Sequence, residues 1–479
     1  MTVLHAKPIR TLTDYYADPY VRRRIREYCG ISETTSASCV YFAALHADDG
    51  PHPTWDNAQR VPVEACGSLL SSGADVARSM WDRTSLLVHL DIDYQNIDVP
   101  GEPYHHPMEV FYKLEPVYRA TQQVLNRFGL PLLPVMTGRG YHFTGRVPLD
   151  GHITDRIARL ALDTPAWVAT LPVRQPTWAP VGIAERHARA YAGVGMLMEF
   201  LAHRILKRAR RRSPIPIVLN GTIVGSGATG RECASLDVSY AGDPLDVRHL
   251  RVAFGAYQKH RFQPHLNAEQ GVGDRPPFVA VPRGRASLEY LLSEGRDLRH
   301  AARAARVQSA ALPDVSEGVA HTIDAYLTSP LARFHKDFYS APPASMTLDA
   351  LVGSSRWLRL PECVRSPLIA PNDRLLQPAV IQHVTRVLMA EGLSPREIAA
   401  LVQSRYTADF NWGRRWQLLE PQSRAEFDVR TFAGLVVTGL DQGVDFNCRS
   451  AQEKGLCPGH PCLLDLRNSH RQLRDLMSL

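Results

Sequence analysis

The run Leu86 to Asp93, Leu-Leu-Val-His-Leu-Asp-Ile-Asp, constrains the fold of this chain more than any other segment. Apolar and branched residues at this density predict a buried strand whose last residues turn polar. Asp91 and Asp93 stand two apart, so a strand sends both carboxylates to one face. A rigid pair of carboxylates is the donor type that Mg2+ or Mn2+ prefers, because hard divalent ions take oxygen ligands and bridge phosphates. Taken alone, Asp-x-Asp also fits a strand end that runs into solvent.

The following segments supply partners for such a strand. Met108 to Phe128 carries apolar residues at helical spacing and stops at Gly129. Two strands then follow, Leu132 to Met136 and Tyr141 to Val147, joined by the tight turn Thr137-Gly138-Arg139-Gly140. Glycines let a backbone come close to a ligand, and Arg139 and His142 can hold a triphosphate through charge-assisted hydrogen bonds. An ordinary hairpin with a surface arginine is the plainer alternative. For a third carboxylate Asp237, in Ser-Leu-Asp-Val-Ser, is the best candidate, with Asp243 and Asp246 as competitors. Arg251, Lys259 and His260 add positive charge beyond it, or else form a solvated basic segment.

Helical patterning runs from Ile183 to about Arg212 and ends in Lys207, Arg208, Arg210, Arg211 and Arg212 before Ser213-Pro-Ile-Pro breaks it. Strand-like pieces at Ile215 to Leu219 and Ala234 to Tyr240 come next, then a helical or extended segment from Asp246 to His260. Strands and helices interleave, which predicts the α+β class. From about Leu348 onward helical signals dominate, including Pro378 to Glu391 and Ser394 to Tyr406, the latter with Ser394 as N-cap and Pro395 at the first helical position. A length of 479 residues exceeds one ordinary core. The expected division is 1–280, a helical connector over 281–346, and a helical domain over 347–479.

A net charge of +7, carried mostly by arginine, points toward an anionic partner. No apolar run is long enough to span a membrane and the start does not read as a secretory signal, so the expected location is cytoplasmic, with no membrane partner. Eight cysteines in that compartment argue against structural disulfides. Cys29, Cys39, Cys66 and Cys233 are scattered and form no recognisable metal-binding spacing. Cys448, Cys457 and Cys462 crowd the end, with Cys363 far upstream. Four thiolates can hold zinc or an iron-sulfur cluster. One remote ligand and three close ones fit a cluster gathered between distant helices better than a zinc ribbon.

The ordered series His-Leu-Asp-Ile-Asp, Thr-Gly-Arg-Gly-Tyr-His, and Leu-Asp-Val-Ser followed by His-Leu-Arg and a lysine resembles the three motifs of archaeo-eukaryotic primases, over roughly Leu86 to His260. The resemblance implies metal roles for Asp91, Asp93 and Asp237. It implies nucleotide-binding roles for Thr137, Gly138, Arg139 and His142, and less directly for Arg251 and Lys259. Thr137 stands where the family has serine, and Tyr257 falls about where a histidine is usual.

A second resemblance covers about Leu348 to Leu479. The elements Leu360-Pro-Glu-Cys-Val-Arg, Glu391-Gly-Leu-Ser-Pro-Arg-Glu-Ile, Asp409-Phe and Gly455-Leu-Cys-Pro-Gly-His-Pro-Cys look like the C-terminal domain of the archaeal and eukaryotic primase large subunit. That implies a [4Fe-4S] cluster on Cys363, Cys448, Cys457 and Cys462, with zinc the lesser option. His383 and Arg386 loosely echo a His-x-x-Arg element of the same family. Together the two resemblances imply a DNA primase or primase-polymerase. It would act on single-stranded DNA with NTP or dNTP, alongside replication or repair proteins. A gap-filling or translesion polymerase, and a nucleic-acid-binding module without catalysis, are the rival readings.

Overall fold

The computed structural model describes residues 9–31, 38–45, 58–221, 231–245, 249–262, 270–371, 375, 377–407, 420–457, 462 and 464–477. Asp246, the Asp409-Phe pair and the Pro458 to Pro461 stretch lie outside the described residues.

The larger of two main sheets is built around β4 (Ser85–Asn96), a strand of 12 residues. It pairs antiparallel with β6 (Gly140–Pro148) on one side and β8 (Glu232–Asp237) on the other. Outside these lie β5 (Leu133–Met136), β7 (Ile217–Leu219) and the edge strand β12 (Val281–Pro282), giving the order β12-β5-β6-β4-β8-β7. The smaller sheet has the order β2-β1-β3-β9, from β1 (Tyr41–Leu45), β2 (Gln59–Pro62), β3 (Asp75–Ser79) and β9 (His249–Arg251). A short ribbon joins β10 (Ala256–Tyr257) to β11 (Phe278–Val279). Mixed sheets with many helices make this an α+β protein.

Alternation along β4 and β6 divides the large sheet into two faces. On one face Tyr141 and Phe143 meet the helix Pro107–Arg127, where Phe111 lies edge-on to Tyr141 with ring centroids 5.3 Å apart and Tyr118 stacks on Phe143 at 5.6 Å. That helix ends as expected, since Gly129 takes φ +64°, which an L side chain rarely adopts. On the opposite face His89 Nδ1 meets Thr144 Oγ1 at 2.9 Å, and the Tyr28 hydroxyl from the helix Pro19–Tyr28 donates to the same Thr144 oxygen at 3.2 Å. Asp91, Asp93 and His142 belong to this second face. Because β4 runs on to Asn96, both aspartates sit inside the strand rather than at its end.

Beyond β12 the chain is helical, with Leu288–Arg296, Leu298–Val307, Ser316–Leu327 and Pro330–Ser340 preceding the C-terminal helices. Ser394 caps the helix Pro395–Tyr406 through a full capping box with Glu397. The helix Pro421–Val437 then packs back onto the first part of the chain. Trp167 donates its backbone N–H to Ser423 Oγ at 3.0 Å, and Gly242 lies against the Phe427 ring so closely that a Cβ would stand 3.1 Å from it.

The deepest contact between these parts is ionic. Glu199, on the helix Glu185–Ala209, is fully buried and accepts from Arg430 at 2.7 Å and meets His335 Nε2 at 3.2 Å. Arg430 also donates to the Tyr339 hydroxyl at 2.6 Å, and His335 Nδ1 meets the Tyr326 hydroxyl at 2.8 Å. Three chain segments far apart in sequence thus share one buried charge cluster. Among the described residues no helix is long and apolar enough to cross a membrane.

Candidate active site

Register brings the sequence-predicted carboxylates together. Asp91 of β4 stands opposite Asp237 of β8 and opposite His142 of β6, while Asp93 stands opposite Gly140. Directly opposed residues in an antiparallel pair project from the same face, with Cβ atoms about 4.5–5.5 Å apart. Asp91, Asp93, Asp237 and His142 therefore share one sheet face, and all four are half-buried where their strand neighbours are buried.

Each carboxylate has a local partner. Asp93 pairs with Arg139, His142 Nε2 lies 3.5 Å from Asp91, and Asp237 accepts the Ser239 backbone N–H at 2.8 Å. Burial alone would raise the Asp93 carboxyl, but Arg139, with Lys259 and His142 behind it, holds it below the ordinary range. Asp93 is thus an anion near neutral pH. Lys259, on the short helix Lys259–Phe262, is half-buried and close enough to act on Asp93.

The turn Thr137 to Gly140 holds its shape for reasons visible in the packing. A Cβ on Gly140 would fall 1.8 Å from the Ile92 carbonyl oxygen, so only glycine lets β6 pair with β4 at this point. One on Gly138 would fall 2.6 Å from the Tyr257 ring. Thr137 closes the turn, its N–H donating to the Gly140 carbonyl at 2.9 Å, and its buried hydroxyl oxygen has no hydrogen-bond partner among the described residues. A buried hydroxyl without a partner costs free energy unless another group meets it. It sits two residues from Arg139 in the turn beside the carboxylates.

Arg251 is turned away from this group. It is 6% exposed, pairs with the fully buried Asp75, and lays its guanidinium over the Tyr257 ring at 4.2 Å from the centroid. Its contact toward the turn is with Tyr257, which packs on Gly138. Asp243 pairs with Arg174 at 2.5 Å instead of joining the carboxylate face. Sequence reasoning missed Asp428, on the helix Pro421–Val437. It is fully buried, paired with Arg424 at 2.8 Å, and held above the ordinary carboxylate range by burial, with the Asp237 charge adding to the effect. A mid-helix aspartate gives no local signal of such a neighbour.

The distal cysteines also approach one another. Cys363 opens the buried side of the helix Glu362–Ile369, and its thiol is pushed up to about 12 by burial, with Cys457, Cys448 and Cys462 adding to the effect. His383 Nε2 lies 3.1 Å from the Cys363 sulfur. His383 and Arg386 are both 4% exposed, and Arg386 is held by Asp441 and Asp445 at 2.5 and 3.1 Å. Neither side chain lies on the surface. Of the other cysteines, Cys29, Cys39, Cys66 and Cys233 are all buried.

Among the described residues no three His, Cys, Asp or Glu side chains are gathered tightly enough to hold a metal ion. At the carboxylate face Asp93 pairs with Arg139 and Asp91 meets His142. The donor set still suits a hard divalent ion, being oxygen-rich and incompletely buried. At the cysteine face Cys448, Cys457 and Cys462 lie close enough to Cys363 to act on its thiol, and four thiols are donors that either zinc or an iron-sulfur cluster accepts.

No family model matches the sequence, and no curated protein matches it. Among solved structures, the chain is similar to the polymerase domain from Mycobacterium tuberculosis ligase D in complex with DNA, at 14% identity and a TM-score of 0.31, over 62% of this chain and 88% of that one. A likeness of that size decides neither fold nor activity.

Proposed function

We propose that this chain is a template-dependent nucleotidyltransferase that makes or extends primers on single-stranded DNA, using NTP or dNTP. The observation that carries the reading is the shared face of Asp91, Asp93 and Asp237, flanked by Arg139, His142 and Lys259. Three carboxylates on one rigid sheet, next to cations on a glycine turn, suit a phosphate chain bridged to divalent ions better than they suit a surface strand.

Asp91, Asp93 and Asp237 would hold Mg2+ or Mn2+. Such ions, when bound, lower the cost of charge on the attacking and departing oxygens. The chain's own residues do the positioning. Arg139 is shared between Asp93 and the nucleotide phosphates, His142 donates to the same phosphates, and the buried Thr137 hydroxyl finds in a phosphate oxygen the partner it otherwise lacks. The 3'-hydroxyl gives up its proton to solvent as its oxygen attacks the α-phosphorus, the bond from that phosphorus to the oxygen bridging to the β-phosphate breaks, and pyrophosphate leaves with the electron pair. Arg251 supports this arrangement through Tyr257 and Gly138.

Cys363, Cys448, Cys457 and Cys462 would hold a [4Fe-4S] cluster that organises the helical C-terminal part. The division into a catalytic part, a connector and an iron-sulfur part belongs to the same proposal, with the edge strand β12 assigned to the catalytic part. The test is nucleotide incorporation on primed single-stranded DNA by the unmodified chain and by Asp237→Ala, with Mg2+ or Mn2+. Metal-dependent incorporation lost in the variant supports the reading. Metal-independent binding without incorporation favours a nucleic-acid-binding module.

A further inference from the structure

A row of aromatic side chains leads outward from the Arg139 turn to a second group of cations. Tyr257, which packs on Gly138, lies 6.4 Å from the Tyr104 ring, and Tyr104 lies 4.7 Å from the His260 ring. His260 Nε2 meets the Arg275 carbonyl at 2.9 Å. The Arg275 guanidinium is exposed and donates to His105 Nδ1 at 3.4 Å, while His105 Nε2 donates to the Gln270 carbonyl at 2.7 Å. That pairing ties the Arg275 guanidinium to His105.

Arg296 stands beside this group. Its Nη2 donates to the Tyr104 carbonyl at 3.0 Å and the Pro103 carbonyl at 3.4 Å, and its Nε is buried with no hydrogen-bond partner among the described residues. Burial and the nearby Arg275 charge both lower its proton affinity. Arg261 is also lowered by burial, with Asp274 as the opposing charge. Guanidiniums are normally gathered around carboxylates. Here Arg275 and Arg296 both reach the Pro103 to His105 segment, and Arg275 lies near enough to act on Arg296, an arrangement that an anion would relieve.

We infer that Arg275 and Arg296, with Arg261 and His105 beside them, form a phosphate site at the rim of the carboxylate face that holds a backbone phosphate of a bound nucleic-acid strand. The strand, rather than the nucleotide's own tail, fits because the site lies two ring contacts out from the turn that faces the carboxylates. Tyr104 and Tyr257 are buried between the two cation groups and separate them. The inference extends the polymerase reading, but its test needs no turnover, so either can fail without the other.

The test is anisotropy of a labelled single-stranded oligodeoxynucleotide in EDTA across a salt series, for the full chain and for Arg275→Gln. Nucleoside triphosphate binding is measured in parallel. Losing one phosphate contact should weaken DNA binding several-fold at low salt and flatten the log–log salt slope by about 0.7. Arg275→Lys should restore the slope, and nucleotide binding should stay unchanged. An unaltered DNA slope overturns the site, and a loss confined to nucleotide binding overturns the assignment to a strand. Since Arg275 is exposed, its variant should melt with the unmodified chain; Arg261→Gln provides a second, independent removal of charge.

Discussion

Replacing Arg430 by methionine removes one partner of a fully buried carboxylate. Glu199 would keep only the 3.2 Å contact to His335, whose imidazole burial holds in the neutral form against the pull of Glu199. At an effective dielectric near 20, a unit pair about 4 Å apart is worth about 4 kcal/mol. Stranding the carboxylate should therefore cost about 3–5 kcal/mol, the usual range for breaking a buried pair. Equilibrium denaturation followed by both tryptophan fluorescence and far-ultraviolet dichroism would read this loss. Because Glu199 and Arg430 pair across a sequence separation of 231 residues, the loss should appear in one transition seen by both probes. The double variant Glu199→Gln, Arg430→Met leaves no stranded charge and should recover more than half of the loss. A single variant costing under about 1 kcal/mol, or a double variant no better than the single, would refute the reasoning.

The same cluster sets a pH dependence. His203 is pushed down to about 4 by burial, so between pH 6.5 and 4 the unfolded chain takes up a proton that the folded chain refuses. His203 alone should lower stability by about 3 kcal/mol across that window as pH drops, with His383 and His335 adding to the fall, and His203→Gln should remove its share. Glu199, held far below the ordinary range, adds stability that is complete above pH 4.5 and is lost only in stronger acid. At the candidate active site, Arg139→Ala should let Asp93 rise, moving the acid limb of the pH–activity profile to higher pH; an unmoved limb would count against the pair. Gly140→Ala should cost at least about 1–3 kcal/mol by forcing β6 off β4, seen as a lowered thermal midpoint. Anaerobic Cys363→Ser should lose iron and acid-labile sulfide together, whereas zinc retained in place of iron would contradict the cluster.

Much of the large sheet was legible because its elements follow simple periodicities. The strands expected at Leu132 to Met136 and Tyr141 to Val147 are β5 and β6 to within a residue, and the helix expected over Met108 to Phe128 spans Pro107–Arg127. Capping chemistry placed Ser394 correctly, since a hydroxyl before proline and three residues before glutamate admits few other conformations. The smaller sheet went unread because its strands are only 3 to 5 residues long and β1 is buried throughout, a pattern without alternation. Arg251 read as a surface cation because nothing near it in sequence announces Asp75; their pairing arises only when β9 joins β3. Gly138 and Gly140 were read as room for a ligand, and the structure shows the Tyr257 ring and the Ile92 carbonyl using that room. The approach of Asp428, on the helix Pro421–Val437, to Asp237 is a tertiary fact with no local trace.

The most direct test of the central claim places anaerobically purified chain and the Asp91→Ala, Asp93→Ala double variant on unprimed single-stranded DNA with labelled nucleotides and Mg2+ or Mn2+. Short products made by the unmodified chain and absent with the variant are the predicted result. Extension of an added primer without initiation would narrow the activity to a gap-filling polymerase. Absence of incorporation under every nucleotide and metal condition, or equal incorporation by the variant, would contradict the claim that these carboxylates carry nucleotidyl transfer.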